Sequence, residues 1–126
     1  MKKERILVVD DEAMVREMIR DMLEAEGYRA IAVDSGKNAL KIAREEAIDL
    51  LLADIRMPEM NGLQLVEELR RESPEVVPIL ITGYASVATA RQAIQQGVYD
   101  YIVKPFDRAE LTTSVEGALA RKRLAD

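Results

Sequence analysis

At 126 residues, with 48% hydrophobic and 33% charged side chains, the chain has the size and composition of one soluble globular domain with a real core. Its net charge is −5 and its one basic cluster is Arg121-Lys122-Arg123, too small a footprint for direct nucleic-acid binding. It contains neither cysteine nor histidine, which excludes a disulfide framework, thiol chemistry, a Ser-His-Asp triad and a histidine phosphate donor on this chain.

The N-terminal MKKER runs straight into an apolar stretch with no signal peptide, and no apolar run approaches ~18 residues, so a cytoplasmic location without membrane insertion is expected. Arg5–Asp10, RILVVD, reads as a short buried strand ending in acids. Residues 12–26 carry Met14, Val15, Met18, Ile19, Met22 and Leu23 at helical spacing, with Asp11 as the expected N-cap and Gly27 as the stop. The methionines of that stripe are expected in the core. Arg29–Val33 is a second strand. Ser35-Gly36 opens a second helix that turns Ala39, Leu40 and Ala43 inward.

Asp49–Ala53 is the third strand. Its run Leu50–Ala53 has no polar face, as expected of a strand covered on both sides, and it delivers a single acid, Asp54. A loop with Pro58 leads to Asn61, which forms a capping-box pattern with Gln64 for a third helix to about Glu72, with Leu63, Val66 and Leu69 inward. Val76–Thr82 is the fourth strand. Ser86–Gln96 is a fourth helix with a thin apolar face of Val87, Ala90 and Ile94, ended by Gly97. Val98–Val103 is the fifth strand, followed by Lys104-Pro105. Asp107 and Glu110 cap a last helix that buries Leu111, Val115, Ala118 and Leu119, and Arg121–Arg123 forms a solvated end suited to the negative pole of its dipole.

Five βα units in succession, with no repeat or linker between them, imply one α/β domain over residues 1–126. The expected fold is a flavodoxin-like parallel sheet of order 2-1-3-4-5 with helices on both faces. All 126 residues are used by that unit, so no output domain is expected within it. In this order Asp10 and Asp11 (strand 1), Asp54 (strand 3), Thr82 (strand 4) and Lys104 (strand 5) converge on one rim, where open α/β sheets bind ligands. Three carboxylates packed together repel, and a bound cation keeps them ionised at neutral pH. A hard, oxygen-only donor set favours Mg²⁺. Phosphoryl transfer needs an in-line nucleophile and positive charge on the equatorial oxygens. Asp54 supplies the nucleophile, a metal and Lys104 the charge, and the Thr82 hydroxyl a donor, with Gly83 leaving room for the incoming group.

These residues closely resemble the receiver domain of two-component response regulators. The resemblance rests on Asp10-Asp11, Asp54 with Met57-Pro58 and Gly62, Thr82, Tyr101 and Lys104-Pro105-Phe106, in matching order along nearly the whole chain. It implies that Asp54 takes a phosphoryl group from a phosphohistidine on a sensor histidine kinase or phosphotransfer protein. It implies that Asp11, Asp54 and the backbone carbonyl of Arg56 bind Mg²⁺, with Asp10 assisting. It also implies that Lys104 pairs with the phosphoryl group, that Thr82 moves toward it, and that Tyr101 is an aromatic switch answering Thr82. A cis Lys104-Pro105 bond is expected. Arg56 and Tyr84, at variable positions beside the entrance, are expected to tune dephosphorylation by helping or hindering the attacking water. The implied output surface is helix 4, strand 5 and helix 5, used for self-association or for contact with an output domain. The run TGYASVATARQAIQQGVYDYIVKPF looks most like receivers attached to ATPase-type transcription activators.

Three other readings compete. A haloacid-dehalogenase-type phosphatase carries a second Asp two positions after its nucleophile, where this chain has Arg56. An FMN-binding flavodoxin needs a Ser/Thr/Gly phosphate loop after strand 1, where this chain has Asp10-Asp11-Glu12. A receiver-like interaction module that is never phosphorylated would not need the full acid, Thr and Lys set.

Overall fold

The computed structural model describes residues 3–125. Met1, Lys2 and Asp126, the ends of the expected 1–126 unit, lie outside the described residues. The elements alternate strictly: β1 (Arg5–Val9), α1 (Ala13–Ala25), β2 (Arg29–Val33), α2 (Gly36–Glu45), β3 (Leu50–Asp54), α3 (Gly62–Glu72), β4 (Val77–Thr82), α4 (Val87–Gln95), β5 (Asp100–Val103) and α5 (Arg108–Ala125). The five strands form one parallel sheet of order β2-β1-β3-β4-β5, as the alternation of short apolar runs and helical stripes implies. Register sets the site. Val9 pairs with Ala53, Asp54 with Ile81, and Thr82 with Val103, so the C-terminal ends of β1, β3, β4 and β5 come level along one edge.

Side chains alternate across a strand, and the core divides accordingly. Leu7, Val9, Leu51, Ala53 and Leu80 face α2, α3 and α4, whereas Ile6, Val8, Leu50, Leu52, Ile79 and Ile81 face α1 and α5. That two-sided burial explains why β3 and β4 have no polar face. Expected caps form at Ser35, Asn61, Ser86 and Asp107, and Asn61 with Gln64 closes a full capping box. Gly62 is required for a packing reason. A Cβ there would run into the carbonyl of Asp54, so glycine lets α3 begin directly against the end of β3.

Four local expectations need correction. Asp11 does not cap α1. The N-cap is Glu12, which makes no side-chain cap bond, and it is Asp10 Oδ1 that accepts from the Glu12 N–H at 2.9 Å. The methionines of α1 are not a core stripe, since Met14 is 86% exposed and Met18 is also exposed. Ile19 and Leu23 are buried, with Val15 and Met22 packed beside them, so the neighbouring line of apolar residues, one step around the helix, faces the sheet. The same ambiguity affects α4, where Val87 and Ile94 are both 77% exposed and Ala93 is the buried residue. Finally, the basic end of α5 is not simply solvated. Lys122 Nζ lies 3.4 Å from Asp49, Arg123 pairs with Glu4, and the Arg121 guanidinium stands 5.5 Å from the centre of the Tyr99 ring.

Candidate functional site

The rim is built by strands that run out of sheet. β1 ends at Val9, and Asp10 follows almost completely buried. β3 ends on Asp54, whose residue is 5% exposed. Asp54 Oδ1 accepts from the Arg56 N–H at 3.1 Å, and Oδ2 accepts from Lys104 Nζ at 3.0 Å. The same ammonium donates to Asp10 Oδ2 at 3.1 Å and lies 4.0 Å from a Glu12 carboxylate oxygen. Lys104 is held there by its own backbone: its N–H donates to the Thr82 carbonyl at 2.8 Å, and the Lys104-Pro105 bond is cis.

Electrostatics follow from this packing. Burial is the largest influence on Asp54 and raises its pKa above the ordinary value; the charge of Asp10 adds to the rise, and the hydrogen bond from Lys104 offsets it only in part. Burial alone would lower the Lys104 pKa, but the bonds and charges of Asp54 and Asp10 outweigh it and hold the ammonium above its ordinary value. Lys104 is therefore a cation wedged between two buried acids.

The carboxylates of Asp10, Asp11, Glu12 and Asp54 offer oxygens that all lie within 4.8 Å of one another, the one such acidic group among the described residues. Only hard oxygen donors are present, and a lysine ammonium already fits between two of them, so the donor set suits a small, hard divalent cation. Glu12 belongs to this group although the sequence patterns assigned it no role. Its adjacency to the Asp10-Asp11 pair was the available signal.

Thr82 is fully buried beside the site, and its Oγ1 accepts from the Tyr84 N–H at 3.0 Å. Tyr101 stands apart from it. Its hydroxyl shares a 2.7 Å hydrogen bond with Thr89 Oγ1 and accepts a longer one, 3.4 Å, from the Ser86 N–H, so it is engaged with the first turn of α4. Arg56 and Tyr84 meet, with the guanidinium 4.1 Å from the centre of the Tyr84 ring. The sequence expectation that these two flank the site thus acquires a contact between them. A groove of about 680 Å³ runs along β5 and α5, past Tyr101, Asp107 and Ser114.

Comparison with known proteins settles the family. The family model described as response regulator receiver domain matches residues 6–116. The chain belongs to that family. The receiver is 41% identical over 115 residues to the regulatory protein AtoC of Escherichia coli, covering 91% of this chain and 25% of that protein. It is 38% identical over 121 residues to the transcriptional regulatory protein ZraR of Klebsiella oxytoca, covering 96% and 27%. The receiver thus spans about a quarter of the length of the curated relatives it matches. Among solved structures, a CheY-like receiver domain protein of Methanospirillum hungatei superposes with a TM-score of 0.95 at 29% identity, covering 99% of this chain and all of that one. TrrA of Thermotoga maritima, solved with Mg²⁺ and BeF, superposes at 0.83 with 34% identity, covering 92% and 99%. The flavodoxin-like order expected from the sequence is the order observed, and the chain is a response regulator receiver domain. Among the described residues no helix is long and apolar enough to cross a membrane.

Proposed function

We propose that residues 1–126 act as one phosphorylation-controlled switch in which Asp54 accepts a phosphoryl group from a phosphohistidine of a sensor histidine kinase or phosphotransfer protein. The observation that carries this reading is the Asp54 carboxylate itself. It is buried at the end of β3, bonded to Lys104 at 3.0 Å and to the Arg56 amide at 3.1 Å, inside a group of four acids. An Asp54 oxygen attacks phosphorus and forms the new O–P bond, while the P–N bond of the donor breaks and leaves its electron pair on the imidazole nitrogen. Burial raises the carboxyl pKa, and the adjacent Lys104 ammonium helps keep the attacking group ionised near neutral pH.

Asp10, Asp11, Asp54 and the backbone carbonyl of Arg56 would hold Mg²⁺, with the Glu12 carboxylate adding negative charge at the edge. Bound there, the ion supplies Lewis-acid stabilisation of the phosphoryl oxygens. Lys104 moves its positive charge from Asp10 and Asp54 to a phosphoryl oxygen, and Thr82 gives up the Tyr84 N–H to donate its hydroxyl to another. Tyr101, in turn, leaves Thr89 and Ser86 and swings toward the space Thr82 vacates. That removes two bonds from the N-terminus of α4 and shifts the α4-β5-α5 surface.

The changed surface controls self-association or an output domain in the cytoplasm. The name of ZraR, a transcriptional regulatory protein, supports regulation of transcription, and the crystal structure of NtrX from Brucella abortus in complex with ATP, 32% identical with a TM-score of 0.92 over 98% of this chain, supports an ATPase-type output. The acidic receiver itself makes no nucleic-acid contact. The test is incubation with Mg²⁺ and acetyl phosphate followed by intact-mass measurement. The wild type gains one phosphoryl group and Asp54→Asn gains none. A wild type that stays unmodified, or an equal gain by Asp54→Asn, would sink the proposal.

A further inference from the structure

We propose that Arg16 is a positioning residue that sets the Asp10–Glu12 turn for a metal ion, an inference that rests on the Mg²⁺ site proposed for these acids. The turn joins β1 to α1 and carries three of the four clustered carboxylates. Arg16, in the first turn of α1, holds it at both ends. Its backbone N–H donates to the Glu12 carbonyl at 3.0 Å, as helix geometry requires, and its guanidinium Nη1 donates to the Asp10 carbonyl at 2.9 Å. The second bond is not a product of the helix, because the Asp10 carbonyl precedes the N-cap, Glu12.

Asp10 is thereby engaged at each of its polar groups. Its N–H donates to the Val33 carbonyl at 3.2 Å, Oδ1 accepts from the Glu12 N–H at 2.9 Å, and Oδ2 accepts from Lys104 Nζ at 3.1 Å. Asp11 is the opposite case. It is exposed, and no hydrogen bond or ion pair reaches its carboxylate among the described residues. Only the backbone directs it. The Asp10 oxygen, the Asp11 nitrogen and the Asp11 Cα share one peptide plane, so the bond from Arg16 fixes the direction from which the Asp11 side chain departs.

Arg16 borders a groove of about 420 Å³ lined also by Asp34 and Glu45, yet it makes no ion pair among the described residues and donates to a neutral carbonyl instead. A planar, rigid guanidinium suits the fixing of a carbonyl's direction better than a mobile ammonium does. The need for such a hold is electrostatic. Like charges on Asp10, Asp11, Glu12 and Asp54 repel and spread the turn before any cation arrives. Lys104 resists that spreading from the β5 side of the sheet, and Arg16 and Val33 resist it from the β2 side.

Position and charge act on a cation in opposite directions, so the sign of the effect separates them. A guanidinium beside the site repels Mg²⁺, and its removal on charge grounds alone tightens binding. Loss of the pin loosens the ligand set and weakens binding.

The test is a Mg²⁺ titration of the unphosphorylated protein at constant ionic strength, followed through the amide NMR shifts of residues 10–12 and 54–56. Arg16→Met keeps the aliphatic stem but removes donor and charge, and it weakens Mg²⁺ binding about three- to ten-fold, the factor one hydrogen bond is worth. Arg16→Gln, uncharged and shorter, weakens it likewise, so the outcome does not hang on one variant. Arg16→Lys keeps the charge and a donor, and falls between wild type and Arg16→Met. At saturating Mg²⁺ all three variants take up label from acetyl phosphate to the wild-type extent. Unchanged or tighter Mg²⁺ binding by Arg16→Met and Arg16→Gln, even with lowered stability in urea, would overturn the role of Arg16 and leave the metal site and the acceptor intact. A wild type whose shifts ignore Mg²⁺ would overturn the metal site and this inference together.

Discussion

α3 and α4 lie side by side on one face of the sheet, have similar lengths and begin with similar caps, yet they are held very differently. α3 buries Leu63, Leu65, Val66 and Leu69, and its start is locked against β3 by Gly62. α4 buries Ala93 alone, and turns Val87 and Ile94 to solvent. What holds α4 is polar and local: Tyr101 at its first turn, and at its end Arg70 donating to the Gly97 carbonyl and Gln96 donating to the Leu63 carbonyl. Even this last tie is incomplete. Gln96 Oε1 is the one buried side-chain polar atom without a partner among the described residues. An element with little buried apolar surface has little to lose on moving, so the pair separates a scaffold helix from a helix able to switch. On the proposed function, the response is confined to where apolar surface is withheld.

The largest expected effect tests that contrast directly. Leu69→Ala in α3 lowers stability by about 2–5 kcal/mol, whereas Ile94→Ala in α4 stays within about 0.5 kcal/mol, by urea unfolding. Equal losses would break the comparison. Next, Asn61→Ala removes the side-chain acceptor of the Gln64 N–H, leaves the Asn61 N–H bond to the Gln64 side chain, and lowers stability by about 1 kcal/mol in the same assay.

Asp54→Asn comes third and acts in the opposite direction. Because burial raises the Asp54 pKa in the folded protein, its ionised form is disfavoured there relative to the unfolded chain. That penalty is complete above the folded pKa and disappears once pH falls below the ordinary value of 3.8. Asp54→Asn therefore gains stability near neutral pH, and the gain shrinks as pH falls through the folded pKa. A gain that grows on acidification would contradict the burial argument. The smallest effect is Tyr101→Phe, which removes the hydroxyl bonds to Thr89 and Ser86. It lowers global stability by about 0.5 kcal/mol and speeds amide hydrogen exchange in the first turn of α4 but not in α3.

Much of this architecture was legible in the residues. Short runs such as Leu50–Ala53 have no polar face because both sides of a parallel sheet are covered, and each run ends in the polar residue that reaches the rim. Asn61-x-x-Gln64 and Ser35-Gly36 announce helix starts because orphaned backbone N–H groups need side-chain acceptors. Helix facing was harder to read. α1 has two adjacent apolar lines, and only packing against β1 and β2 decides that Ile19 and Leu23 turn in while Met14 turns out. In α4 the bulky Val87 and Ile94 were the obvious inward residues, but it is Ala93 that is buried against the sheet. Two contacts between distant side chains left no local trace: Arg56 on Tyr84, and Lys122 reaching Asp49.

The most direct test of the account is amide hydrogen exchange on the wild-type receiver with and without full acetyl phosphate labelling in Mg²⁺. The account predicts that exchange changes in residues 86–103, covering α4 and β5, and stays constant through α3. Complete labelling at Asp54 with α4 unchanged, or with α3 changing as much as α4, would contradict it.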